Sequence, residues 1–232
     1  MSLSKKAQHI RQDIIRIIAK KGGQTASNLS AADIFTTLYF TTLKFHPQKE
    51  PQRRIVVSKN LQPAWHAAMA HSGYCSKRDL FRTELPAGAP QGNALGIAIG
   101  RALASNRHTY CIINDAELQD GRIWELAARA GTQKINNITL IIDRNNLHAE
   151  GFMNIEPVRA KLEAFNWNVI EVDGHNIEHI GQVLQESNTH KPTAIIAHTI
   201  PGKGVSFIEN SPEWHEKTPT KEEEQKAITE LR

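Results

Sequence analysis

The chain is poor in cysteine and has no long apolar run. Its 232 residues include two cysteines, Cys75 and Cys111, which make neither a disulfide framework nor a metal-site spacing. This points to a reducing cytosol. No apolar stretch approaches the roughly 18 residues needed to span a bilayer. The opening MSLSKKAQHIRQDIIRIIAK lacks the uninterrupted apolar core of a secretory signal, and its Ile10, Ile14, Ile17 and Ile18 recur at helical spacing instead. No basic block is interleaved with aromatics, which argues against nucleic acid as a partner. Internal repeats and low-complexity segments are absent as well.

What remains is ordinary for a soluble globular protein: 40% hydrophobic and 22% charged residues. The length is enough for one substantial α/β core, read as a single domain over 1–232. A net charge of +4 fits a mildly basic surface and is compatible with an anionic ligand.

Apolar runs alternate with helical patterns. IVVS (55–58), TYCII (109–113), ITLII (138–142), WNVIEV (167–172) and TAIIAH (193–198) read as strands. Helices are expected at 4–20, 31–43, 63–72, 93–105, 121–133, 157–164, 176–187 and 220–231. Ser30 with Asp33, Pro157 in a first turn, and Thr220 before a run of glutamates serve as start signals. The alternation predicts a three-layer α/β/α fold with a mainly parallel sheet. Ligands of such sheets sit beyond the carboxyl ends of the strands.

Asp115 in NDAELQDG and Asn145 in DRNNL are 30 positions apart, and each follows one of these apolar runs. Neighbouring parallel strands ending there would set a carboxylate beside an amide oxygen. With the backbone carbonyl of Leu147, they make the oxygen set that a hard cation such as Mg²⁺ takes while keeping a phosphate oxygen in its shell. An aspartate after a strand also suits a helix N-cap, and asparagine suits a turn. Asn146 reads as a turn residue.

NDAELQDGRIWELA resembles the GDGELQEGxxWEA segment of transketolases, and DRNNL resembles their DxN-x-L segment. LSAADIFTTLYF, AFNWNVIEVDGHNIEHI and TAIIAHTIPGKGVSFIENSPEWHEKTP are similar to further family segments, so the likeness runs nearly end to end. It implies the thiamine-diphosphate-binding fold, in its diphosphate-binding module. The implied cofactors are thiamine diphosphate and Mg²⁺ (or Ca²⁺), with metal ligands Asp115, Asn145 and the Leu147 carbonyl. The cofactor-binding positions carried over are Asp115, Ala116, Glu117, Asn145, Lys59, Gln91, Gly92, His215 and Lys203. His215 matches a histidine near the diphosphate, and with Asp120 and Glu125 it makes up the catalytic set that the resemblance implies. Asp120 and Glu125 match two acids that link paired active sites across a subunit interface. The length fits the amino-terminal half of a split transketolase. A carboxy-terminal partner chain would then hold the aminopyrimidine, in an α2β2 assembly acting on a small molecule or a carrier-bound acyl group.

The chain departs from the family pattern at several points. Asn114 and Ala116 replace the glycines that flank the aspartate, and Ala116 adds a methyl where backbone approaches phosphate. Gln24 and Leu61 stand at or near positions where the family has histidines, and the usual LQGHP loop is missing from HSGYCSKRDLFRTELPAGAPQG. His66 and His71 lie near this altered segment. Asn93 and Ala94 alter the glycine-rich stretch around Gly92, and Pro201 takes the place of a lysine. The resemblance therefore implies transfer of a two-carbon unit with a non-standard donor or acceptor. The alternative is a non-catalytic subunit kept for assembly or regulation.

Overall fold

The computed structural model describes residues 1–43, 55–77, 79–82, 86–147, 154–186 and 190–232. Among these, five strands form one parallel sheet in the order β1-β2-β3-β5-β4. They are β1 (Ile55–Val57), β2 (Thr109–Asn114), β3 (Ile138–Arg144), β4 (Asn168–Asp173) and β5 (Thr193–His198). All five lie within two residues of the runs read as strands. A parallel sheet covered on both sides needs nearly continuous apolar strands. TYCII and ITLII supply them, and every residue of β2 and β3 is buried.

The pleat sorts side chains onto two faces. Ile55, Val57, Tyr110, Ile112, Ile141, Ile195 and Ala197 pack under one helical layer. It contains α1 (Leu3–Lys21), α2 (Thr25–Ser30), α3 (Ala32–Thr37), α4 (Gln62–His71), α9 (Ile177–Glu186) and α10 (Lys221–Glu230). Val56, Cys111, Ile113, Leu140, Ile142, Ala194 and Ile196 pack under the other. That layer holds α6 (Ala94–Leu103), α7 (Gly121–Thr132) and α8 (Val158–Ala164). A short helix, α5 (Asp79–Arg82), follows α4.

The chain leaving β3 enters α8 on the second face. The chain leaving β5 sends Val205, Ile208 and Trp214 to the first. Neighbouring strands whose exits diverge open a crevice at their carboxyl ends.

One expected helix is divided. Over 31–43 the helix starts earlier, as α2, breaks at Ala31, resumes as α3 and ends in a π-helical turn at Leu38–Thr42. Ser30 does not cap it. Its hydroxyl lies 2.8 Å from the Ser27 carbonyl and 2.7 Å from Asp143 and shares its one proton between them. All six residues of α2 are buried, so TASNLS has no apolar stripe to reveal it. Pro157 stands just before α8, not in its first turn. Thr220 forms a full capping box with Glu223, as its sequence predicts. Position 187 of an expected helix, and positions 78 and 83–85 of the stretch where a family loop is missing, lie outside the described residues.

Candidate functional site

The register Asn114↔Asp143 brings the ends of β2 and β3 side by side. Asp115 opens a 3₁₀ turn, Asp115–Gln119, and is 1% exposed. Its Oδ2 accepts from the Asn146 amide at 2.9 Å and from Arg144 Nη1 at 2.7 Å. Asn145 is buried; its Nδ2 donates to Asp143 Oδ2 at 3.1 Å, and its Oδ1 accepts from the Leu147 amide at 2.9 Å. Asn146 takes φ +56°, a left-handed turn that asparagine tolerates. The rim thus gathers a carboxylate from the turn after β2 with an amide oxygen and the backbone of Leu147 from the turn after β3.

Behind it lies Asp143, fully buried. It accepts from Ser30 Oγ at 2.7 Å and from Thr199 Oγ1, so α2 and the exit of β5 both meet β3 here. Burial pushes the Asp143 carboxyl up to about 7, against these donors and Asn145. The buried helix α2 ties further segments to the rim. Thr25 Oγ1 donates to the Lys217 carbonyl, Asn28 Nδ2 to the Asn60 carbonyl, and the Gly202 amide to the Ala26 carbonyl. Asn28 Oδ1 accepts from the Ala64 amide. These polar side chains suit a helix that organises loops.

The other candidates fall into three groups. Glu117 is fully buried, and its Oε2 accepts from the Gly92 amide at 3.0 Å, where Gly92 turns with φ +74°. Burial raises the Glu117 carboxyl, against its hydrogen bonds. Ala116 is not among the residues with positive φ, so its methyl brings no left-handed strain. His215 ends the 3₁₀ turn Pro212–His215, two residues from the Lys217 that Thr25 anchors. Its Nε2 is buried without a hydrogen-bond partner among the described residues.

A second group lines a cavity of about 340 Å³: Gln24, Lys59, Asn60, Gln62, His66 and Lys21. Gln24 Oε1 is buried there and has no hydrogen-bond partner among the described residues. His66 Nε2 bonds the Pro86 carbonyl at 3.0 Å, and burial lowers its pKa. His71 belongs elsewhere, on Asp13 at 2.8 Å. Leu61 is fully buried in the core.

The third group is peripheral. Asp120 caps α7, accepting from the Arg122 amide, and pairs with the Arg122 guanidinium at 2.5 Å. Arg122 also donates to the Gln91 carbonyl. Glu125 is exposed on α7. Lys203 lies 3.9 Å from Glu209, and Pro201 is buried.

Sequence reasoning missed Arg144, Asp143, Ser30 and Thr199. Arg144 and Asp143 are charges closing an apolar strand, which a search for buried ions would have flagged. Ser30 read as a helix start and Thr199 carried no signal, since the contact of each with Asp143 exists only across the fold.

A family model described as transketolase, thiamine diphosphate binding domain, matches residues 99–231. An apulose-4-phosphate transketolase subunit from Actinobacillus succinogenes is 33% identical, covering 99% of this chain and 96% of that protein. A 6-deoxy-6-sulfo-D-fructose transketolase subunit from a Clostridium species is 30% identical over 100% of this chain and 96% of its own length. The solved transketolase of Campylobacter jejuni is 26% identical with a TM-score of 0.80; all of this chain is covered, but only 43% of that one.

Proposed function

The chain belongs to the transketolase family, and on that premise we propose that it is the diphosphate-binding subunit of a two-subunit, thiamine-diphosphate-dependent transferase. It moves a two-carbon ketol or acyl unit and acts only with a partner chain that carries the pyrimidine-binding domain, as α2β2. Residues 1–232 form one such domain, a reading supported by two apolar clusters on opposite faces of a single sheet. Two free cysteines favour a reducing cytosol. Among the described residues no helix is long and apolar enough to cross a membrane.

One observation carries the reading: Asp115 meets the 144–147 turn at the carboxyl edge of adjacent parallel strands. Asp115, Asn145 Oδ1 and the Leu147 carbonyl are an all-oxygen set suited to Mg²⁺ or Ca²⁺. Asn145 fits because Asp143 draws its Nδ2, which fixes the direction of its oxygen. His215 Nε2, without a partner among the described residues, fits a donor to a phosphate oxygen. Bound thiamine diphosphate supplies the carbanion stabilisation that a two-carbon transfer needs.

The chain's own residues do the rest. Glu117 holds the Gly92 turn, which would form part of the diphosphate's surroundings. Ala116, Gln91 and Lys59 would complete the cofactor's surroundings, and Lys203, now 3.9 Å from Glu209, would add a second positive charge by turning inward from the periphery. Asp120 and Glu125, on the outer start of α7, face the partner copy as the acidic link between sites.

The substrate is not the usual pentose phosphate pair. Leu61 is fully buried and offers no imidazole, Gln24 offers an amide, and the imidazole of the same cavity, His66, has its Nε2 on the Pro86 carbonyl. Relatives named for apulose 4-phosphate and 6-deoxy-6-sulfo-D-fructose favour another anionic sugar.

Calorimetry with thiamine diphosphate and Mg²⁺, with the partner chain present, tests the assignment. Wild type should bind, and Asp115→Ala should lose about tenfold or more in affinity. No heat in either would favour the second reading, a subunit kept for assembly, which the Arg144–Asp115 ion pair makes worth testing. A standard rate with xylulose 5-phosphate in the reconstituted pair would end the substrate proposal.

A further inference from the structure

We propose that Arg144 is a resident counter-ion of the Asp115 carboxylate, one that competes with a divalent cation and gives way by withdrawing to Glu156. The inference rests on the reading of Asp115 as a metal ligand. Arg144 bridges two carboxylates: Nη1 reaches Asp115 Oδ2 at 2.7 Å and Nη2 reaches Glu156 Oε1 at 2.6 Å. The side chains of Arg144 and Asp115 are 10% and 1% exposed, so water screens this pair little. Arg144 Nη1 and the Asn146 amide converge on the same carboxylate oxygen.

A divalent ion on that carboxylate would stand a few ångströms from a permanent guanidinium charge. Two like charges so close in a poorly hydrated rim cost too much to coexist unrelieved. The backbone cannot provide relief, because Arg144 pairs with His198 across β3 and β5 and its carbonyl accepts from the Thr199 amide at 3.1 Å. The side chain must move, and Glu156 is the berth at hand. It is 52% exposed, and its Oε2 is held by the Val158 amide at 3.0 Å at the start of α8. Arg144 already touches it.

Two consequences follow. The cation alone binds weakly, since it must displace Arg144. A cation that arrives with a diphosphate brings negative charge too, and the competition is then smaller. Arg144 thereby favours loading of the complete cofactor over the bare ion.

The test measures Mn²⁺ binding by electron paramagnetic resonance on the full chain, with and without thiamine diphosphate. Arg144→Met should bind Mn²⁺ alone about ten- to a hundredfold tighter than wild type, with a smaller gain when thiamine diphosphate is present. Glu156→Gln should weaken binding in wild type and change little in the Arg144→Met background, because Glu156 works through Arg144. Equal or weaker binding by Arg144→Met overturns the counter-ion role if Asp115→Asn still abolishes binding. If Asp115→Asn leaves binding unchanged, the metal reading of Asp115 falls and takes the proposal with it. Should Arg144→Met unfold, Arg144→Gln carries the same test.

Discussion

Ser30 Oγ donates to Asp143 Oδ2 across 2.7 Å, joining residues 113 positions apart. The contact fixes α2 to the end of β3. It also completes the donor set of a buried carboxylate that orients Asn145.

Ser30→Ala removes one donor from this buried group, and such a loss costs about 1–3 kcal/mol. The variant should melt at a lower temperature. Asn145, which also reaches Ser30 Oγ at 3.4 Å, should be less well held, so affinity for thiamine diphosphate with Mg²⁺ should fall in parallel. Calorimetric melting and titration read both effects; an unchanged melting temperature would contradict the proposed tie.

Gly92→Ala should damage the rim from its other side. At φ +74° an L side chain is strained, and an added Cβ would lie 2.2 Å from Asp120 Oδ2 and 2.6 Å from Arg122 Nη2. Backbone strain of this kind costs about 1–3 kcal/mol. The Asp120–Arg122 pair must move aside and the Glu117 hydrogen bond to Gly92 loosens. The expected result is a lower melting temperature with weaker association with the partner chain, followed by light scattering.

His175 holds the loop after β5. Its Nε2 accepts from the Ile200 amide at 2.8 Å, so its proton sits on Nδ1, which donates to Asp33 Oδ2 at 2.8 Å. Burial opposes ionisation of Asp33, yet the His175 hydrogen bond and the Arg11 charge keep its carboxyl below the ordinary value. His175→Phe keeps bulk and removes both bonds. Amide exchange over 199–204 should speed up while β2 and β3 keep their protection. Uniform protection in the variant would refute the positioning role.

Asp13 gives a pH signature. Burial would raise its carboxyl, but hydrogen bonds from His71 and Arg16 and the charge of Lys77 outweigh it and hold the group at about 2, below the ordinary 3.8. A depressed native value means stabilisation that is present above the unfolded value and lost as pH falls through the native one. Wild type should therefore lose its advantage over Asp13→Asn between about pH 4 and pH 2. Melting temperatures across that range check it; parallel curves would contradict it.

The strands were legible because a sheet covered on both faces demands apolar runs, and ITLII and TYCII are such runs. Thr220 was legible because a capping box is local chemistry. The position of Asp115 and Asn145 at one rim followed from strand ends alone. α2 was not legible, since a wholly buried polar helix shows no amphipathic period, and Ser30 looked like a cap.

By itself, then, the sequence determined the layered fold and the side chains at its carboxyl edge, because hydrophobic periodicity and capping depend on near neighbours. Tertiary structure alone decided which distant groups those side chains meet. Arg144 reaches Asp115 and Glu156, Ser30 and Thr199 reach Asp143, and Leu61 retreats into the core. The physical reason is that a buried charge takes whatever partner the packed chain brings within about 3 Å, and no local pattern records that choice.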